Sequence, residues 1–410
     1  MSKKQGKSIA YEYHGTMLTA DRIMFFLEHI YNSNLTTVER NDQGKKVPIC
    51  IWGKHGIGKT ALPEQLAENL GIGFEKISPA QFEEMGDLLG MPSTGIWVIK
   101  DDQTKLVDKD NVDSYINAGW SKDNSRPSQT ITAAPPWVPN VDIGAPEKGI
   151  FVIDDFNRAG KRIINGIMDL LQNGGLATWK LPEGWSIMLT ANPGGGDYQV
   201  TELDGAQMTR MTHISMEFEE KAWAKWALSN DIDERVVNFV LAHPELIRDG
   251  ELTTPRSIEY FANNIRNIKN LKENIDMVMV LSNGNLDPNA AVVFTTFIND
   301  NLTTLKSPKE ILEAKDFEKT IEKGFIEKFS KGAAPRVDVL SVLSTRIIFY
   351  CTDTLKGKLT KLQEKNLKAY INIKSIPNDI RLNMAQELIQ GKLKRIMADP
   401  EIGKLLLNRM

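Results

Sequence analysis

The stretch from Val47 to Thr60, Val-Pro-Ile-Cys-Ile-Trp-Gly-Lys-His-Gly-Ile-Gly-Lys-Thr, constrains the chain more than any other. Its apolar run, Val47 to Trp52, reads as a buried strand that breaks at Gly53. Gly53, Gly58, Lys59 and Thr60 then satisfy G-x-x-x-x-G-K-[ST], and Thr60 to Leu70 continues as a helix that Gly71 ends. Strand, glycine turn and helix in that order are the setting a phosphate-binding loop requires. Glycines let successive N–H groups curl around an anion, and the helix N-terminus adds positive potential. Lys59 can reach β- and γ-phosphates, and the Thr60 hydroxyl can ligate Mg²⁺. The candidate nucleotide-binding set is therefore Gly53, Lys54, His55, Gly56, Ile57, Gly58, Lys59, Thr60 and Ala61, with no separate chemistry assigned to Lys54 or His55. Such a turn also arises by chance in long chains, so partners elsewhere must support it.

At 410 residues the chain has room for roughly two to three domains. Its net charge of −3 gives no global argument for nucleic acid or an anionic membrane. Cys50 and Cys351 are far apart, which fits a reducing compartment better than a disulfide framework. The first residues contain no apolar signal core, and no run approaches the length of about 18 apolar residues that spans a bilayer. A cytoplasmic protein without membrane contact is expected. The five histidines show no metal-ligand spacing, so no structural metal is expected.

Residues 1–16 are polar and read as loose. Ile23, Phe26, Leu27 and Ile30 recur at helical spacing from Leu18 to Tyr31, and a polar loop from Asn32 to Lys46 leads to the first strand. Further strands are expected at 73–78, 149–153, 186–191 and 212–218, with helices at 82–89 and 159–173. A hairpin is expected between 177–180 and 185–189 around Pro182-Glu183-Gly184. Residues 100–140 are charged and proline-rich without clear periodicity. They read as an insertion, either mobile and partner-facing or an ordinary solvated excursion. Strands alternating with helices imply a parallel sheet covered on both faces. Beyond Glu219 the sequence reads as all helix.

Asp154 and Asp155 end the strand at 149–153. A phosphate-loop enzyme needs one carboxylate beside Mg²⁺ and a group that polarises the attacking water. Asp154 fits the first role and Asp155 the second; two acids ending a strand can also simply cap the turn that follows.

Val152-Ile-Asp-Asp-Phe-Asn-Arg-Ala resembles the Walker B segment of MoxR-type AAA+ ATPases. The likeness runs in order through Asp87-Leu-Leu-Gly, the 177–189 region, Thr190-Ala-Asn-Pro, Ala206-Gln-Met-Thr-Arg-Met and Thr254-Pro-Arg-Ser, covering about residues 15–270. It implies Asn192 as the sensor amide, Arg210 as an arginine finger and Arg256 as a sensor arginine in a helical lid. Taken singly, each arginine also fits a surface or salt-bridged role. Asp155 stands where the family has glutamate, one methylene longer, and Thr209 stands where it has aspartate. Arg158 is a rival interface arginine.

The resemblance implies an α/β fold: a P-loop AAA+ core with a parallel five-stranded sheet, an all-helical lid and a helical C-terminal extension. The expected division is 1–16 N-terminus, 17–220 core, 221–305 lid and 306–410 C-terminal region. It also implies ATP hydrolysis with Mg²⁺ in a homo-oligomeric, hexameric ring that remodels or assembles a protein partner, such as one with a von Willebrand A-like domain. From Tyr350 on, basic residues outnumber acidic ones about two to one, including Lys356, Lys358, Lys361, Lys365, Lys368, Lys392, Lys394 and Arg395. A nucleic-acid-directed motor is therefore an alternative, although interleaved aromatics are lacking and a solvated face is favoured. A slow, nucleotide-gated assembly switch is a third reading, motivated by the shorter Asp155.

Overall fold

The computed structural model describes residues 11–39, 46–195, 198–300, 305–330, 336–391 and 393–407. Residues 1–10 of the segment read as loose, Gly196 and Lys392 lie outside this set. The chain divides into two compact units, Met1–Phe218 and Glu219–Met410.

The strands of the first unit are β1 (Thr16–Leu18), β2 (Ile49–Trp52), β3 (Gly73–Ile77), β4 (Met91–Lys100), β5 (Gln103–Asp108), β6 (Ser121–Lys122), β7 (Gln129–Ala133), β8 (Lys148–Ile153), β9 (Gly175–Leu176), β10 (Trp179–Lys180), β11 (Gly184–Ala191) and β12 (Thr212–Met216). Six of them form one parallel sheet in the order β1-β12-β2-β11-β8-β3. The loop-bearing strand β2 thus lies between β12 and β11, with Ile51 opposite both Ile214 and Thr190. Side chains alternate across a strand. Ile49, Ile51, Ile150 and Val152 pack on one face with Ile23 and Leu27 of helix α1 (Ala20–Glu39) and Leu62 and Leu66 of α2 (Ala61–Leu70). Cys50, Trp52, Phe151 and Ile153 pack on the other with the apolar stripe Ile163, Ile164, Ile167 and Leu170 of α5 (Lys161–Asn173). That helix ends at Gly174 with φ 65°. Two covered faces are what continuous apolar strands require.

Several expectations are corrected. The sheet has six strands, because β1 adds at the edge beside β12; with three residues and only Leu18 buried, it has too little pattern to read. Helix α1 runs to Glu39 instead of ending at Tyr31. The Thr36 and Thr37 hydroxyls bond back to the Asn32 and Ser33 carbonyls, and Asn34 exchanges two hydrogen bonds with Val47, fixing the start of β2. The part of that expected loop at 40–45 lies outside the described residues.

Residues 100–140 are folded. Strands β5, β6 and β7 all pair antiparallel with β4, and Val98, Val107, Val112, Tyr115 and Trp120 form a separate small core with helix α4 (Val112–Asn117). The β4–β5 turn uses Asp101 and Asp102 at φ 47° and 63°, the doubly left-handed turn usually signalled by Asn-Gly. The short hairpin pairs Trp179 with Leu176, while 184–191 joins the parallel sheet instead of turning back on 177–180. Helix α3 (Met85–Leu89) falls within the expected 82–89.

The described residues of the second unit are helical. Phe239, Phe261, Phe294 and Phe297 form its aromatic centre. Among the described residues no helix is long and apolar enough to cross a membrane.

Candidate active site

The site grows from the ends of β2, β8 and β11. Gly56 and Gly58 have φ of 71° and 100°, which L side chains rarely adopt, and these let the backbone wrap after β2. Gly53 closes the turn: a Cβ there would meet Ile57 Cδ1 at 2.6 Å. The Lys59 side chain is buried and folds back over the loop. Its Nζ donates to Gly53 O at 2.9 Å, Lys54 O at 3.0 Å and Asn192 Oδ1 at 3.2 Å. A phosphate would replace neutral acceptors with anionic oxygens, a stronger partner for an ammonium.

Beside it, the Thr60 hydroxyl donates to Asp154 Oδ1 at 2.5 Å, and the Thr190 hydroxyl donates to the same oxygen at 2.6 Å. Thr190 also accepts from the Asp155 N–H at 2.8 Å. One buried hydroxyl therefore orients one carboxylate and the backbone of the next. Asp155 is held at φ 48°, ψ 40°, a conformation that costs a non-glycine residue energy and turns its side chain out of the strand pattern. Its Oδ2 lies 3.6 Å from Arg158 Nε.

Asn192 is fully buried. Its N–H donates to Asn157 Oδ1 at 3.1 Å, and Asn157 Nδ2 donates to its carbonyl at 2.8 Å. With Oδ1 taken by Lys59, its Nδ2 has no hydrogen-bond partner among the described residues. A buried amide donor left open beside a lysine is a place for an anionic oxygen or a water. Two hydroxyl and carboxylate oxygens converging on one point are the hard-oxygen donors Mg²⁺ prefers. The residues present therefore fit a nucleotide triphosphate with Mg²⁺.

The structure thus brings Lys59, Thr60, Asp154, Asp155 and Asn192 together. Arg210 is not in this group. It is exposed, and its Nη1 donates at 2.8 Å to Ala206 O within its own turn, after helix α6 (Gly205–Met208). Arg256 is in the second unit, exposed on the first turn of helix Pro255–Ile265, behind the Thr254 cap. Three participants were not assigned from the sequence. Thr190 and Asn157 stand inside the quoted motifs but look like ordinary polar residues until their partners are known. Tyr198 carried no signal; its hydroxyl accepts from His55 N–H at 3.1 Å and meets the imidazole Nδ1 at 2.7 Å. Tyr198 also contacts the Tyr11 ring, and Lys54 Nζ lies 5.1 Å from that ring's centre, so Lys54 and His55 are tied to aromatic neighbours.

Residues 48–211 match the AAA domain of the dynein-related subfamily. The α/β unit is an AAA+ P-loop core, followed by helices. This AAA domain contains every residue of the convergent group. No curated protein matches the chain. Similar solved structures include the Holliday junction branch migration motor RuvB of Thermotoga maritima, 14% identical over 83% of this chain and 94% of that one, with a TM-score of 0.30. A Lys-to-Arg RuvB variant is 14% identical over 83% and 87% with a TM-score of 0.33; a Pro-to-Gly variant is 15% identical over 85% and 97%, also at 0.33. At these scores the likeness adds nothing on function.

Proposed function

We propose that the protein is an ATP-hydrolysing AAA+ ring ATPase of the MoxR type that uses turnover to remodel or assemble a protein partner. The observation that supports it most is the convergence of Lys59, Asn192, Thr60 and Asp154 at the ends of three adjacent strands. In this reading the loop N–H groups from Gly53 to Ala61 and Lys59 bind the β- and γ-phosphates. Thr60 and Asp154 would hold Mg²⁺, which would neutralise charge on those phosphates. Asp155 accepts a proton from the attacking water, and Asn192, seated by Asn157, orients that water or the γ-phosphate through its open amide.

Arg210 then serves the nucleotide of a neighbouring subunit, and Arg256 acts from a lid formed by 221–305, with 306–410 as a helical extension. Head-to-tail contacts that close into a hexamer would deliver each arginine in trans. A partner with a von Willebrand A-like domain follows from the family resemblance. The nucleic-acid reading is weaker. Lys368 and Arg395 of the basic C-terminal helices both pair with Glu364, as expected of a solvated face. A slow assembly switch has one observation in its favour: Asp155 is a methylene short and faces Arg158.

The test is phosphate release per subunit against protein concentration, for wild type and Arg210→Ala. Specific activity should climb with concentration and collapse in the mutant while ATP still binds. Added Lys59→Ala protein, which retains Arg210, should partly rescue the mutant. Flat activity unaffected by Arg210→Ala would remove both the arginine and the ring from the mechanism.

A further inference from the structure

His213, near the start of β12, lies between the phosphate loop and the arginine-bearing turn. Trp52, the last residue of β2 before Gly53, donates its indole N–H to His213 Nδ1 at 2.9 Å. On the other side of the ring, His213 Nε2 lies 2.7 Å from the carbonyl of Met208, the last residue of α6 and two before Arg210. An indole nitrogen can only donate and a carbonyl can only accept. The imidazole is therefore neutral, with its proton on Nε2, and both its nitrogens are committed. A second proton on Nδ1 would set one donor against another and break the Trp52 bond.

We propose that His213 is a positioning residue that couples the occupancy of a subunit's own phosphate loop to the arginine it presents to its neighbour. The chain of contacts is Gly53, Trp52, His213, Met208 and Arg210. Its far end is also held by the Asp204–Gln207 capping box, by Gln207 donating to Asn165 of α5, and by Met208 and Met211 packing on the core. The His213 ring is therefore the side-chain link by which a shift of the β2 end, as the loop closes on phosphate, reaches the arginine turn, beside the backbone pairing of β12 with β2. The proposal rests on Arg210 acting in trans.

The titratable groups facing His213 are His14, from the segment before β1, and Cys50, its register partner on β2. The His14 ring also packs edge-on against Trp52, with centroids 4.4 Å apart. Burial holds the His213 pKa below the ordinary 6.5, and His14 pushes the same way, while the bond to Met208 opposes them. Burial keeps the Cys50 thiol protonated. The coupling is therefore intact at neutral pH and lost on acidification below the usual histidine range.

The experiment compares kcat, KM for ATP and pH profiles in Trp52→Phe, His213→Phe and His213→Gln, with Arg210→Ala as control. Trp52→Phe and His213→Phe should lower kcat about fivefold to tenfold, the equivalent of one ordinary hydrogen bond, with KM within about twofold. His213→Gln retains an N–H for the Met208 carbonyl. It should keep most of the neutral-pH kcat and lose the acid limb seen in wild type. Mixing His213→Phe with Asp155→Asn, which keeps its phosphate loop and its arginine turn, should restore turnover. Unchanged kcat in Trp52→Phe while Arg210→Ala is inactive would overturn the coupling and leave the arginine's role standing. So would a rise in KM at constant kcat, an acid limb retained in His213→Gln, or no restoration on mixing. Wild-type turnover in Arg210→Ala would instead overturn the underlying reading, and this proposal with it.

Discussion

Thr190→Val tests the architecture of the site by removing one hydroxyl and little else. Thr190 is fully buried, donates to Asp154 and accepts from the Asp155 N–H. Valine keeps the shape and forfeits both bonds. Leaving the Asp155 N–H without a partner costs about 1–3 kcal/mol, and losing a hydrogen bond to a carboxylate costs about 1.5–3 kcal/mol. Allowing for relaxation, the sum is roughly 3–5 kcal/mol, which at about 2–4 °C per kcal/mol for a unit of this size lowers Tm by at least about 6 °C. Thr190→Ser is the control: it keeps the hydroxyl and loses one methyl, about 1 kcal/mol. Asp154 would be left with Thr60 alone, so the Mg²⁺ concentration for half-maximal turnover should rise roughly tenfold in the valine variant. Calorimetry and a Mg²⁺ titration of phosphate release read the two effects. Valine and serine variants that melt together, or a valine variant within about 2 °C of wild type, would refute the two-bond argument.

Two further outcomes follow from the same geometry. Asn157→Ala strips both partners from the Asn192 backbone in a buried setting, costing about 2–4 kcal/mol in urea unfolding. Because the Asn192 amide loses its seat, kcat should fall more than KM rises. Burial raises the thiol pKa of Cys50 and lifts that of Cys351 to about 12, so neither should react with an aromatic disulfide reagent at pH 8 until denaturant is added. Rapid labelling of the native protein would contradict the packing of β2 or of the C-terminal helices.

The phosphate loop was legible because its signal is local: the strand, the glycines at forced φ values and the Lys-Thr pair are neighbours in the chain. The apolar runs of β2, β8 and β11 were legible for a related reason, since strands buried on both faces cannot hide their composition. Asp154, Asp155 and Asn192 could be named from motif order, and the fold then set them at adjacent strand ends. Elsewhere the local signal failed. The fold of 91–133 rests on a turn of two aspartates and on strands whose outer residues are polar, so its pattern resembled loop. Strand β1 exists only because β12 offers it an edge, and three residues carry no period of their own.

The sequence alone determined the chemistry available to this protein, because a phosphate loop and a carboxylate pair are written in residue types at fixed spacings. Tertiary structure decided which ordinary polar residues serve that chemistry. Thr190, Asn157 and His213 acquire their roles from partners 35 to 161 residues away, such as Thr190 on Asp155, Asn157 on Asn192 and Trp52 on His213, contacts that come into being only when the sheet assembles. A hydrogen bond depends on where two groups meet, and only the packed sheet says where they do.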